Sequence, residues 1–423
     1  MRHMVCDVLV IGSGPAGLAA AAQARRSGAG CVLVIERSPE PGGILPQCIH
    51  NGFGVRVFGS DLTGPEYAGR WAEDALAAGA EIVTDTMVLA VEPGPAAVAV
   101  GPKGGLTRIT AGALVLAMGC RERPRGALAI PGSRPAGVYT AGTAQRLVNV
   151  EGYMPGSRFA ILGSGDIGMI MARRLTIEGA QVVGMFEILP YISGLRRNLV
   201  QCVRDFDIPL HLCTTVTEVV GAERVEAVVT SQVDDRWRPI PGTERAWPCD
   251  TLLLSVGLIP ENELSRMAGV AIDPVTGGPI VDERMATSVP GVFAAGNVVH
   301  VYDLVDDVTE SALRAGRFAA AYARQGEDAP GRRVRVVAGA NVHHVVPHHV
   351  HLDRLAEEAI PLQLRVREPV EEAVRAQVRA GGKVLLSRRQ RYVRPSEMVT
   401  LTLEPKHATA LDGVEAIEVV VVA

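Results

Sequence analysis

Short apolar runs, each closed by glycine, alternate with longer amphipathic stretches along most of the chain. "CDVLVIGSGPAGLAAAAQARRSGAGCVLVIER" reads as strand, tight turn, helix and strand. The same pattern returns in "SRFAILGSGDIGMIMARRLTIEGAQVVGMFE". Three further runs, "ALVLAMGCRERP", "DTLLLSVGLIPEN" and "GVFAAGNVV", read as buried strands that each end in a turn. After them, Val305, Val308, Ala312, Ala315 and Ala319 recur at helical spacing, and Gly316 permits close packing of that helix. The pattern changes again beyond "RQGEDAPGRR" (residues 324 to 333), a polar linker. "LQLRVREP", "VRAQVRAGGKVLLSRRQRYVRP", "EMVTLTLEP" and "AIEVVVVA" are rich in β-branched residues between turn signals, and predict a small all-β domain.

The two repeated units carry chemistry. Gly12, Gly14 and Gly17 form a G-x-G-x-x-G turn between strand and helix, and Glu36 follows Gly12 by 24 positions. Such a turn lets backbone approach a pyrophosphate at a helix N-terminus, while the acidic residue accepts from a ribose diol. Gly163, Gly165 and Gly168 repeat the turn, and Glu187 follows Gly163 by the same 24 positions. A chain with both units holds two nucleotides, most simply a flavin and a nicotinamide. Glu187 favours NADH, because a carboxylate repels a 2′-phosphate; Arg196 and Arg197 keep NADPH as the minority reading.

Composition narrows the picture. A net charge of −4 gives no case for nucleic acid or an anionic membrane surface. No apolar run is long enough to span a bilayer, and the glycines, Pro15 and "ARRSG" argue against a signal segment near the start. The seven cysteines are scattered and form no C-x2-C pair, which speaks against a disulfide scaffold or metal cluster and for a reducing cytoplasm. His343, His344, His348, His349 and His351 crowd "NVHHVVPHHVH". No cysteine or paired carboxylate lies nearby in sequence, and strand alternation would divide the set, so no metal is expected. "SRRQRYVR" reads as a solvated strand edge, with docking of an acidic partner as the alternative.

Taken in order, the two glycine turns and the three strand-to-glycine runs resemble the FAD-dependent pyridine nucleotide oxidoreductases over roughly residues 5 to 325. The resemblance implies an α/β fold of two nested Rossmann-like dinucleotide-binding domains, for FAD and NAD, followed by the small C-terminal all-β domain. The implied boundaries are 1–150 with 261–330 for FAD, 151–260 for the inserted NAD(H) domain, and 331–423 for the tail. It implies non-covalent FAD held by Gly12, Gly14, Pro15, Ala16, Gly17, Glu36, Arg37, Gly43, Ile44, Val88, Ala117, Gly119, Gly296, Asn297 and Thr309. NAD(H) would meet Gly163, Gly165, Asp166, Ile167, Gly168, Glu187 and Gly257. Family members usually carry aspartate where Asn297 stands. The start of the following helix would point its dipole at the flavin pyrimidine and stabilise the charge gathered on reduction.

"PGGILPQCIHNGFG" departs from the disulfide reductases of that family. Their two cysteines lie four residues apart here; this chain has Cys48 alone, with Ile44 and Leu45 where the partner belongs, so an internal disulfide relay is disfavoured. Ile170 likewise replaces a glutamate common in reductases. Cys48 and His50 could form an activated thiolate pair, but a loop lining the flavin is the favoured reading, with Cys48 the one catalytic candidate. "LPQCIHNGFG", "HVYDLVDDVTE" and "RPSEM" are similar to a bacterial subgroup found beside glycerol-3-phosphate-dehydrogenase-like flavoproteins. More distant relatives are the NAD-type subunits of opine, hydroxyproline and sarcosine oxidoreductases. That resemblance implies an electron-transfer subunit in a homo- or hetero-oligomer, partnered by a second flavoprotein dehydrogenase and a small cysteine-rich protein. The alternatives are a free-standing NADH oxidase or single-cysteine thiol reductase, and a redox-gated flavin-binding scaffold. Removal of the tail from about Arg332 is expected to spare FAD binding and weaken partner association.

Overall fold

The computed structural model describes residues 1–326 and 331–423, so the middle of the expected 324–333 linker lies outside the described residues. The chain divides into two compact units, Met1–Cys120 with Pro260–Ala423, and Arg121–Ile259.

The first unit is built on a seven-stranded sheet. Strand Arg2–Ile11 lies between Val32–Ile35 and Gly105–Leu116, parallel to both, with Val8 opposite Val32 and Ala113. Glu81–Val83 and Val292–Ala294 extend the parallel set, while Ala96–Gly101 and Met87–Glu92 add an antiparallel meander. The continuous apolar runs are explained by burial on both faces of the central strands. Helix Pro15–Arg26 begins with Pro15 at its first position and buries an almost unbroken alanine face. Those small side chains let helix Val305–Gln325 approach closely: a β-carbon on Gly316 would lie 2.2 Å from the Ala20 carbonyl oxygen.

The C-terminal strands belong to this same unit but bury a core of their own, which includes Val334, Leu362, Leu364, Leu401 and Val419. One sheet has the order His349–His351, Arg333–Ala338, Ala416–Val422, Val374–Ala380, Lys383–Gln390; the other is Val342–Val346, Ile360–Val366, Val399–Leu403. Lys383–Gln390 is an edge strand, largely exposed, which meets the expectation for the first half of "SRRQRYVR"; in the second half Val393 is buried and Arg394 is paired with Glu371 and Glu397. The tail is not an independent appendage. His348 N donates to Val281 O at 2.8 Å, and Val281 N donates back to His348 Nδ1 at 3.1 Å. Val346 and Met398 pack against the core of the dinucleotide sheet.

The second unit has a parallel sheet in the order Val138–Thr140, Thr251–Leu254, Arg158–Leu162, Gln181–Phe186, Leu210–His211, with a separate antiparallel sheet of Thr214–Val220, Ala227–Gln232 and Arg245–Pro248. It starts at Arg121 rather than at the expected 151. The reason is strand Val138–Thr140, which pairs with Thr251–Leu254 (Val138 opposite Leu252) and so commits the preceding chain to this unit. Among the described residues, no helix is long and apolar enough to cross a membrane.

Candidate dinucleotide sites

Each glycine turn is made by a strand that stops where the next peptide must bend. Gly12 N donates to Ile35 O at 2.9 Å, closing the turn onto the neighbouring strand, and the Gly12 φ of 99° is a conformation that L side chains resist. A β-carbon on Gly17 would sit 1.8 Å from Gly12 O, so only glycine lets the helix start this near the turn. The twin has the same construction: Gly163 N donates to Phe186 O at 2.7 Å, and a Gly168 β-carbon would lie 2.6 Å from Ser255 Cβ.

The carboxylates repeat at the level of atoms. Glu36 Oε2 accepts from Ser13 N and Ser13 Oγ, both at 2.8 Å, and its Oε1 accepts from Ser38 N at 2.8 Å. Glu187 Oε2 accepts from Ser164 N at 2.9 Å and Ser164 Oγ at 2.5 Å, and its Oε1 accepts from Leu189 N at 3.0 Å. Ser193 Oγ adds a further donor to Glu187 at 3.0 Å. Both carboxylates are buried, at 6% and 3% exposure. Fed by backbone N–H groups on both oxygens, each is fixed and aimed, with lone-pair capacity left on Oε1. The two serines were not anticipated, although the same serine follows the first glycine of both turns. Asp166 also does more than its place in the turn suggests. Its Oδ1 accepts from Leu195 N at 2.8 Å and Asn198 Nδ2 at 2.6 Å, tying down the segment that supplies Ser193. Ser255 Oγ accepts from Gly168 N at 3.0 Å, a second unanticipated contact. Ile167 and Gly257 are the more open positions here.

In the first unit the structure brings several distant segments to the Gly12–Gly17 turn. Gly42 N donates to Ser13 O at 2.8 Å, and a β-carbon on Gly43 would lie 2.9 Å from Gly14 Cα. From the other side, a Gly296 β-carbon would meet Ala16 Cβ at 2.8 Å and Val308 Cγ1 at 3.1 Å. Ala117 N donates to Ile11 O at 3.0 Å, which sets Ala117 and Gly119 beside the same strand end. The turn, the Gly42–Gly43 loop, Gly296 and the first turn of helix Val305–Gln325 therefore pack against one another with bare glycine backbones, next to Glu36, and together make a cradle for a ligand that lies along the backbone. An extended dinucleotide such as FAD fits it. Ile44 and Arg37 are exposed, whereas Val88 is buried in its strand.

Three expected contacts are spent on the protein itself. Asn297 Oδ1 accepts from Tyr302 N at 3.1 Å, and its Nδ2 lies 3.5 Å from Cys120 Sγ. Thr309 Oγ1 is 2.6 Å from Tyr67 Oη and fully buried. The positive end of helix Val305–Gln325 is shared with two buried carboxylates, Asp306 and Asp307. Asp307 is paired with Arg56, and Arg56 N donates to Asp306 Oδ2 at 3.3 Å. The helix dipole is thus partly offset before any ligand meets it. None of these three charged residues stood out in sequence.

Cys48 Sγ donates to Ile44 O at 3.5 Å, and burial pushes its pKa up to about 12. At neutral pH it is a thiol, not a nucleophilic thiolate. His50 Nδ1 bonds to Asn51 O at 2.9 Å, and its ring rests against Phe53 at 5.1 Å.

The clustered histidines are divided, though between two sheets and not by the alternating faces of one strand. His343 and His344 lie on one C-terminal sheet and His349 and His351 on the other. His348 Nε2 faces Asp273 at 3.8 Å. His351 meets two carboxylates: its Nδ1 is 3.1 Å from Glu283 Oε2 and 3.7 Å from Asp282 Oδ2, a grouping of metal-ligand type that sequence distance concealed. Arg284 already serves it as cation, at 2.9 Å from Asp282.

Comparison with known proteins agrees with the duplicated geometry. The family model for pyridine nucleotide-disulphide oxidoreductases matches residues 6–319. An opine oxidase subunit of Agrobacterium tumefaciens (strain Ach5) is 29% identical over 317 residues, covering 69% of this chain and 61% of that protein. The ferredoxin reductase component of chlorobenzene dioxygenase from Cupriavidus sp. (strain PS12) is 32% identical over 193 residues, 44% of this chain and 43% of that one. The match spans about three-fifths of the opine oxidase subunits' length. Among solved structures, T. acidophilum thioredoxin reductase aligns with a TM-score of 0.63 at 24% identity, covering 76% of this chain and 99% of that one, and so shares the two-dinucleotide fold. With two Ser–Glu pairs built alike and a family match across both, the chain belongs to the pyridine nucleotide-disulphide oxidoreductases, a family of FAD- and NAD(P)H-using enzymes.

Proposed function

We propose that the chain oxidises NADH and delivers the electrons to a separate redox protein, as one subunit of a multi-component dehydrogenase. The observation that carries this reading is the pairing of two buried carboxylates held alike, Glu36 and Glu187, with a loop whose only cysteine is a backbone-bonded thiol that burial keeps protonated. FAD, when bound, supplies a group that accepts hydride and releases electrons singly. The chain's own part is to bind and orient. In this reading the Gly12–Gly17 turn and Glu36 hold the adenosine and pyrophosphate of FAD, and Gly43, Ala117, Gly119, Gly296 and Asn297 line its course. Gly163, Gly165, Gly168 and Glu187 hold NADH, with Glu187 excluding a 2′-phosphate. The units Met1–Cys120 with Pro260–Gly326 and Arg121–Ile259 are then the FAD and NAD(H) domains.

The relatives support a partnered role. The opine oxidase subunit and the dioxygenase ferredoxin reductase are, by name, components of larger systems. A second flavoprotein dehydrogenase is the partner proposed here, with a small cysteine-rich protein as the second candidate, in a reducing cytoplasm. Purified chain should reduce artificial electron acceptors with NADH, yet turn over no amino acid, hydroxy acid or glycerol 3-phosphate. Steady turnover of such a substrate by the single chain would refute the relay.

A further inference from the structure

The stretch His300–Leu304 joins Gly296–Asn297 to helix Val305–Gln325, and the C-terminal strands grip its middle. Arg365, on strand Ile360–Val366, donates from Nη2 to Asp303 Oδ1 at 2.5 Å and to Val301 O at 3.0 Å. Its Nη1 donates to Pro395 O. Met398 N donates to Asp303 Oδ2 at 2.7 Å, so both carboxylate oxygens are taken by C-terminal groups. The Arg365 and Asp303 side chains are 17% and 13% exposed, well removed from solvent screening. Beside this pair the His300 ring lies 4.1 Å from Tyr302 and 5.5 Å from His344, filling the remaining space with neutral rings.

The same stretch is tied to the dinucleotide cradle at both ends. Tyr302 N donates to Asn297 Oδ1, and Arg56 bonds the first turn of the helix through Asp306 and Asp307. Gly296 is wedged between Ala16 and Val308, so a shift in the stretch would move the cradle wall against the Gly12–Gly17 turn. A planar guanidinium on strand Ile360–Val366 that bonds a carboxylate and a carbonyl of His300–Leu304 together with the Pro395 carbonyl fixes three segments relative to one another in a way that no single contact would.

We propose that Arg365 is a positioning residue for the cofactor: through Asp303 it sets the Asn297-to-Val308 wall, and thereby the affinity and surroundings of the flavin. The proposal rests on the assignment of FAD to this cradle. The experiment uses the full chain, stripped of flavin and titrated with FAD, with visible circular dichroism and the midpoint potential of the bound flavin as further readouts. Arg365→Ala and Asp303→Asn should each weaken FAD binding roughly threefold to thirtyfold and change the visible dichroism. Arg365→Lys should restore only part of the affinity, because an ammonium reaches Asp303 without bridging both carbonyls. NADH binding should not change. A purely structural role would lower the unfolding temperature and leave the folded fraction's FAD affinity, dichroism and potential at wild-type values. That result overturns the proposal. Should Arg365→Ala not fold, Asp303→Asn, which keeps the side-chain shape, decides on the same readouts. A wild-type chain that binds no FAD would overturn the cradle assignment itself, and this proposal with it.

Discussion

Replacing Glu187 tests the chemistry of the second site most directly. In the structure its carboxylate accepts from Ser164 N, Ser164 Oγ, Ser193 Oγ and Leu189 N, and is 3% exposed. A ribose diol can join this network through Oε1, or by displacing the Ser193 hydroxyl. A 2′-phosphate would bring negative charge against a buried carboxylate and forfeit the ribose hydrogen bonds, a loss of about 1–3 kcal/mol. That corresponds to a preference for NADH of roughly fivefold to 160-fold. Glu187→Ala should remove most of the preference. It also leaves Ser164 N and Leu189 N without their acceptor, which should destabilise the second unit by about 1–3 kcal/mol for each N–H that water cannot reach. Glu187→Gln keeps the shape but turns one oxygen into a donor facing a donor, so it should bind NADH worse than wild type while narrowing the same gap. The assay is flavin reduction at equal low concentrations of NADH and NADPH, with FAD content measured in parallel. Glu36→Ala is the matched control: it should lose FAD and leave the discrimination site intact. A folded Glu187→Ala variant with the wild-type NADH-to-NADPH ratio would refute the ribose assignment.

Other outcomes follow from single contacts. Cys48→Ser should reduce its flavin with NADH much as wild type does, and alkylation of Cys48 should be slow at pH 7 and still rising above pH 9, since burial holds the thiol up to about 12; a fast-reacting Cys48 at neutral pH would contradict this. His351 has its pKa raised by Glu283 and Asp282 against the opposing effect of burial. Its stabilising contribution is complete below the ordinary value near 6.5 and is lost as pH rises through the raised folded value, so His351→Gln should lower the thermal midpoint more at pH 6 than at pH 9. His344 and His349 behave oppositely: burial holds them down to about 3 and about 4, so stability they share in at pH 7 is lost as pH falls below 6.5, and acid unfolding should start there. Truncation before Arg332 is expected from sequence to spare FAD binding. The contacts of Arg365 with Asp303, of His351 with Glu283, and of Val346 and Met398 with the core of the dinucleotide sheet favour the opposite outcome, in which the shortened chain loses FAD or precipitates; FAD titration of the truncated chain decides between them.

The glycine turns were legible because local sterics dictate them. A strand that must bend within one residue, beside a helix that must start at once, leaves glycine as the sole solution at Gly12 and Gly17, and the solution is written twice. Glu36 and Glu187 were legible for the same reason: the length of strand, turn, helix and strand sets their distance from the first glycine. The parallel strands announced themselves as continuous apolar runs, since both of their faces are covered. Sequence could not show that Val138–Thr140 belongs to the inserted unit, because three residues carry no periodicity and only pairing with Thr251–Leu254 assigns them. Nor could it show Arg56 with Asp307, Glu283 with His351, or Arg365 with Asp303, partners separated by 251, 68 and 62 positions. An ion pair between distant segments depends on where the fold delivers each side chain, and a surface arginine and a buried one are the same letter. What the local chain determined alone was which cofactors this protein takes. Tertiary packing decided that the small C-terminal domain grips the stretch between Gly296–Asn297 and helix Val305–Gln325, because burying Val346, Met398 and the Arg365–Asp303 pair is possible only once the dinucleotide sheet and the C-terminal strands have folded against each other.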